Sequence, residues 1–139
     1  MKLKYILFVC AVSIIGFSNA QHNLSLTIDG VSSADGNINV ALYTSQETFL
    51  KFDKVFDKGS AKAVKGKTVL KINGVPPGTY AIAVFHDENG NNELDTNMFG
   101  VPKEPVAFSK AKMKLFGPPK FDECQFQITS DTALVISLP

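Results

Sequence analysis

Residues 79–95 read Thr-Tyr-Ala-Ile-Ala-Val-Phe-His-Asp-Glu-Asn-Gly-Asn-Asn-Glu-Leu-Asp. Tyr80, Ile82 and Val84 alternate with Ala81, Ala83 and Phe85, so both faces of an extended segment are apolar. That pattern predicts a central β-strand, covered on both sides. The stretch before it, Asn73-Gly74-Val75-Pro76-Pro77-Gly78, combines two fixed φ angles with a permissive glycine and predicts a tight, stiff turn. The stretch after it is a dense run of oxygen donors hung on the end of the strand.

Earlier in the chain, Leu24, Leu26 and Ile28 alternate with Ser25 and Thr27, and Ile38, Val40 and Leu42 alternate with Asn37, Asn39 and Ala41. The two strands are separated by the turn-rich segment Gly30 to Gly36, and the spacing predicts a β-hairpin. The period then changes. Thr44 with Glu47 fits a capping box, Phe49, Phe52 and Phe56 fall at helical spacing, and Lys54, Lys58 and Gly59 supply stop chemistry. These signals predict a helix over Ser45–Lys58 whose Phe stripe packs on the sheet. A membrane-surface helix is the competing reading, weakened by Asp53 and Asp57. A strand follows over Val69–Ile72. Residues 96–120 are Gly- and Pro-rich with little regular pattern. Cys124, Phe126 and Ile128 form one further strand and Leu134, Ile136 and Leu138 another, with Thr129–Asp131 as the turn between them.

Short alternating strands separated by Gly/Pro turns predict a mainly β, antiparallel β-sandwich of about seven strands with one short helix. The Pro-Gly-Thr-Tyr corner before the central strand resembles that of transthyretin-like and collagen-adhesin B-type sandwiches.

Composition bounds the setting. Lys2 and Lys4 precede an apolar stretch from Tyr5 to Phe17 and the small-residue end Ser18-Asn19-Ala20. Residues 1–20 therefore read as a secretory signal peptide, and residues 21–139 as one domain that is exported to the periplasm, cell surface or exterior. Without the leader the chain keeps 12 Lys, no Arg and 13 acidic residues, a net charge of −1. A near-neutral chain without Arg lacks the footprint of a nucleic-acid binder. One cysteine, Cys124, remains after the leader and cannot form an internal disulfide; its alternation with Phe126 reads as a small buried hydrophobe. No transmembrane segment is expected downstream of the leader. Lys51, Lys54, Lys58, Lys62, Lys65, Lys67 and Lys71 could meet an anionic surface polymer, against the plainer reading of solvated strand edges.

In the oxygen-rich run, Asp87, Asn89, Asn91 and Asp95 occupy loop positions 1, 3, 5 and 9, and Glu93 would offer its backbone carbonyl at position 7. This is the spacing by which a short turn wraps Ca²⁺. The run resembles the calcium loops of dockerins and adhesin B-type repeats. Asn92 replaces the usual glycine, and Met98 stands where a bidentate glutamate is usual. Few charges imply weak binding, roughly 10⁻⁴ to 10⁻³ M, with Glu88 and Glu104 as extra candidate ligands. A metal-free Asx/Gly turn that caps its own backbone is the alternative. His86 next to Asp87 invites a catalytic reading, but strand neighbours point to opposite faces and no nucleophile motif accompanies them. Catalytic residues are therefore none, and the chain reads as a binding or structural module whose partner is an envelope protein or glycan. The competing classes are a glycan-acting enzyme using His86, Asp87 and Asp95, and a binder of anionic surface polymer.

Taken together, the runs Pro76 to Asn91, Leu94 to Glu104, Ala107-Phe108-Ser109 and Phe116 to Phe121 resemble domain-of-unknown-function family 2141, a group of exported bacterial β-domains. The resemblance spans nearly all of the chain after the leader. It implies an exported single-domain sandwich, transthyretin-like or immunoglobulin-like, and implies no activity, substrate or catalytic residue. Asp87, Asn89, Asn91 and Asp95 match its signature positions.

Overall fold

The computed structural model describes residues 20–139, so the leader read over residues 1–20 lies outside them but for Ala20. Eight strands form two sheets: β1 (His22–Val31), β2 (Asn37–Tyr43), β3 (Asp57–Lys62), β4 (Gly66–Val75), β5 (Gly78–Asp87), β6 (Val106–Phe108), β7 (Phe126–Ile128) and β8 (Thr132–Ser137). One sheet has the order β4-β1-β8; the other has the order β3-β2-β5-β6, with β7 also on β5. All pairings are antiparallel except β1 with β8, which run parallel from Leu24↔Thr132 to Asp29↔Ser137. The chain is thus a mainly β sandwich, with one strand more than the alternation predicts. Among the described residues no helix is long and apolar enough to cross a membrane.

The main core lies between the sheets. Leu24, Leu26 and Ile28 of β1, Ile38, Val40 and Leu42 of β2, and Tyr80, Ile82 and Val84 of β5 all point into it. A second core covers the outer face of the five-stranded sheet, where Tyr43, Phe49, Ala81, Phe108, Phe121 and Cys124 pack together. Phe49 is its hub, edge-on to Tyr43 at 5.4 Å and to Phe121 at 6.0 Å. Both faces of β5 are therefore covered, as its doubly apolar sequence requires. The turn before it is pinned by Tyr80, whose hydroxyl donates to the Pro76 carbonyl at 2.8 Å.

Four expectations fail, each for a physical reason. There is no helix over Ser45–Lys58. The segment makes one turn (Phe49 N–H to Ser45 O, 3.0 Å), reverses at Leu50 with φ 61°, and forms a 3₁₀ turn over Phe52–Lys54. The Phe stripe is not one face: Phe49 is buried, whereas Phe52 and Phe56 are exposed. From Asp57 the chain instead pairs with β2 over six residues. Gly59, read as a helix stop, sits inside β3, where a Cβ would lie 2.9 Å from Leu70 Cδ1 across the core. The short helix is α1 (Phe121–Cys124), which places Cys124 before β7 rather than in it. The predicted β1–β2 hairpin is also absent, because the two strands belong to opposite sheets. The same holds for β7 and β8: the turn at Thr129–Asp131 carries the chain from one sheet to the other. In each case both strands aim apolar side chains at one core, which alternation satisfies equally well across the sandwich as along a sheet. The predicted lysine-rich edge is where strand edges are: Lys58 and Lys62 are exposed on β3, and Lys67 and Lys71 on β4.

Candidate functional site

Alternation along β5 continues to its end. His86 follows Val84 onto the core side and Asp87 follows Phe85 onto the outer side, yet both are fully buried. His86 is closed over by the turn between β1 and β2. Its Nε2 lies 2.8 Å from the Asp35 carbonyl and donates to it, and its Nδ1 faces Ser32 Oγ at 3.4 Å and Glu88 Oε1 at 3.7 Å. Ser32 Oγ in turn donates to Glu88 Oε1 at 3.1 Å. Gly36 makes this closure feasible, since a Cβ there would lie 1.7 Å from the Asp87 carbonyl oxygen.

Asp87 starts the loop and organises it. Oδ1 accepts the N–H groups of Gly90 (2.9 Å) and Asn91 (3.1 Å), and Oδ2 accepts those of Asn92 (2.8 Å) and the Asn39 side-chain amide (3.2 Å). A carboxylate that accepts four donors away from water is held by hydrogen bonds stronger than neutral ones. Asn89 Oδ1 accepts Asn91 N–H and Asn91 Oδ1 accepts Glu93 N–H, which gives two successive Asx turns. The side-chain amides of the same two residues donate to Asp95, Asn89 at 2.6 Å and Asn91 at 3.2 Å. Asn92 takes φ 63° at the position where glycine was expected. Glu104 clamps the two ends, Oε1 accepting Glu88 N–H (3.1 Å) and Oε2 accepting Asp95 N–H (3.0 Å).

Of the residues picked out by spacing, Asp87, Asn89, Asn91 and Asp95 thus share one hydrogen-bonded cluster. Glu93 is exposed and enters it through its backbone N–H. The organising residues that spacing missed or undervalued are Asn39, brought beside the loop by the β2–β5 register, and Glu104, which acts from outside the run. No group of three or more His, Cys, Asp or Glu side chains among the described residues is placed to hold a metal. A cation here would depend on the carboxylates of Asp87 and Asp95 together with amide and backbone oxygens. That is a hard-oxygen set, suited to Ca²⁺ in kind and weak in charge. Each Asn Oδ1 keeps a second lone pair beyond its Asx-turn bond, so such a set can form without dismantling the turns.

Cys124 contributes no nucleophile. It is free and fully buried, and burial, with the carboxylates of Glu123 and Asp122 nearby, pushes its thiol up to about 11.

Residues 26–136 match the family model described as "Uncharacterized protein conserved in bacteria (DUF2141)". The chain belongs to this family. The match covers every strand of both sheets, wholly or in part, and the whole of the Asp87–Asp95 loop with its clamp. Comparison with curated proteins and with solved structures gives no match.

Proposed function

We propose that this family member is an exported, non-enzymatic binding or structural module of the bacterial envelope, and that its Asp87–Asp95 loop takes up Ca²⁺ weakly. Export rests on the leader pattern of residues 1–20. The observation that carries the ion reading is the convergence of Asp87, Asn89, Asn91 and Asp95 in one network, with both carboxylates offered to the same short loop. Support for a non-enzymatic role comes from His86, whose ring is buried and faces a backbone carbonyl on one side and Ser32 on the other. The partner class that suits such a module is an envelope protein or glycan.

The ion would replace the amide donors now facing Asp95 and draw the loop's oxygens inward. Because it binds the folded loop alone, it stabilises the domain by RT ln(1 + [L]/Kd). At millimolar Ca²⁺ and a Kd tenfold lower this is about 1.4 kcal/mol, a rise in Tm of roughly 5 °C. Mg²⁺ should do less, since it demands a tighter octahedral shell. Thermal unfolding in EDTA and in Ca²⁺, with calorimetric titration, measures this directly. Asp95→Asn should abolish the Ca²⁺ response while leaving the Asx turns in place. Equal Tm values and no binding heat would leave the loop as a self-capped turn.

A further inference from the structure

Two turns on the outer face of the five-stranded sheet carry the wrong residues for turns. Turn apices ordinarily hold Gly, Asn, Asp, Ser or Pro. The first is closed by Asn97: its N–H donates to Val101 O (2.9 Å), its carbonyl accepts Gly100 N–H (3.0 Å), and its Oδ1 accepts the N–H groups of Phe99 and Val101. At its apex stand Met98, 90% exposed, and Phe99, 82% exposed. The second is a tight turn in which Lys114 N–H donates to Gly117 O at 2.9 Å. Its apex presents Leu115, 88% exposed, and Phe116, 96% exposed. Phe99, Leu115 and Phe116 border one open apolar groove of about 760 Å³, floored by Phe85 and Phe108. Each turn is closed by its own hydrogen bonds, so the apolar side chains project from formed structure rather than from unfinished packing. Exposed apolar clusters of this kind mark interaction sites.

Charge selects the partner. Residues 96–120 carry Lys103, Lys110, Lys112, Lys114 and Lys120 against one acid, Glu104, a net charge of +4 in a chain that is otherwise acidic. Glu104 is committed to the loop clamp, and among the described residues Lys114 is the one lysine of the five that pairs, with Glu123 at 2.6 Å. The other four lysines are exposed. Exposed apolar tips within a segment rich in exposed lysines are complementary to a bilayer whose headgroups are anionic. A symmetric contact with a second copy would instead bring two lysine-rich segments together. We propose that this face docks on an anionic phospholipid surface, with Met98, Phe99, Leu115 and Phe116 entering the headgroup–acyl boundary and Lys103, Lys110 and Lys112 meeting phosphates.

The test is vesicle flotation of residues 21–139, which carry the residues of both cores, in EDTA so that Ca²⁺ at the Asp87–Asp95 loop plays no part. Vesicles of phosphatidylcholine are compared with vesicles containing phosphatidylglycerol. The expected result is flotation with the anionic vesicles, falling with salt. Each of Lys103→Gln, Lys110→Gln and Lys112→Gln should weaken it roughly fivefold. Phe99→Ser with Phe116→Ser should weaken it at least roughly tenfold, with Tm unchanged. Absence of flotation, or flotation indifferent to the double substitution, would overturn the proposal. So would self-association without lipid that the double substitution abolishes, or uptake of a monomeric anionic amphiphile by a protein that ignores vesicles.

Discussion

The loop over residues 88–95 and the turn over residues 97–101 follow one another in the chain, yet they close their backbones by different means. In the first, side chains do the closing: Asp87, Asn89, Asn91 and Glu104 together accept six backbone N–H groups that would otherwise need water or a ladder partner. Its polar side chains are turned onto its own backbone and onto Asp95. In the second, backbone bonds and the single side chain of Asn97 suffice. The side chains of Met98 and Phe99 have no share in holding the turn and are exposed. Where side chains are spent on closure the loop is a structural or ion-holding element, and where they are released the surface is available to a partner. The two neighbours therefore do different kinds of work, and substitutions in each should have different consequences.

The largest effect is expected at Asp87. Alanine there leaves the N–H groups of Gly90 and Asn92 and the Asn39 amide without their acceptor, and leaves Asn91 N–H with Asn89 Oδ1 alone, beside a fully buried position. Partial solvation of the loop limits the loss, so Asp87→Ala should cost about 3 kcal/mol. Urea unfolding would read this as a lower midpoint at constant slope. A cost below about 0.5 kcal/mol, within the range of ordinary surface changes, would mean that Asp87 does not organise the loop.

A smaller effect is expected at the clamp. Glu104→Gln keeps one carbonyl oxygen and sets an amide donor against the other N–H, so one of the two bonds, to Glu88 or to Asp95, is lost. The expected cost is about 1 kcal/mol. It should be local, seen as faster amide exchange over residues 88–95 with little change in the strands. Uniformly faster exchange would show that the clamp braces the sandwich and not the loop.

What could be read before the fold was known follows a physical line. β5 was legible because its burial is two-sided and its sequence is apolar on both faces. The cluster Asp87, Asn89, Asn91 and Asp95 was legible because a tight loop brings every second residue to one side. Asn39 and Glu104 were not, since they reach the loop from 48 and 16 residues away and depend on the β2–β5 register and on the return of the chain to β6. The partner of His86 was invisible for a deeper reason: the Asp35 carbonyl is backbone, and no residue type signals it. Sheet membership was equally hidden. Ile38, Val40 and Leu42 satisfy the same core from either sheet, so five residues between β1 and β2 read as a hairpin when they cross the sandwich. The false helix shows local signals losing to tertiary ones. Helical spacing of Phe49, Phe52 and Phe56 had to compete with a free edge on β2, and the ladder from Asp57 to Lys62 won.

The smallest expected effect is at the exposed aromatic tips. Phe99→Ser combined with Phe116→Ser removes two large aromatic rings, a change that in a core would cost several kcal/mol. Here both rings are more than four-fifths exposed, and neither turn uses them for closure. The pair should therefore alter stability by no more than about 0.5 kcal/mol, the range of ordinary surface substitutions. Urea midpoints of the two proteins, measured without lipid, decide it. A loss above about 1 kcal/mol would mean that the tips fold back and cover the groove floored by Phe85 and Phe108 in solution. They would then belong to the second core, like Phe49, and the contrast between a loop that consumes its side chains and a turn that offers them would fail. An unchanged midpoint leaves the rings without a role in the fold, and their exposure then needs a partner to explain it.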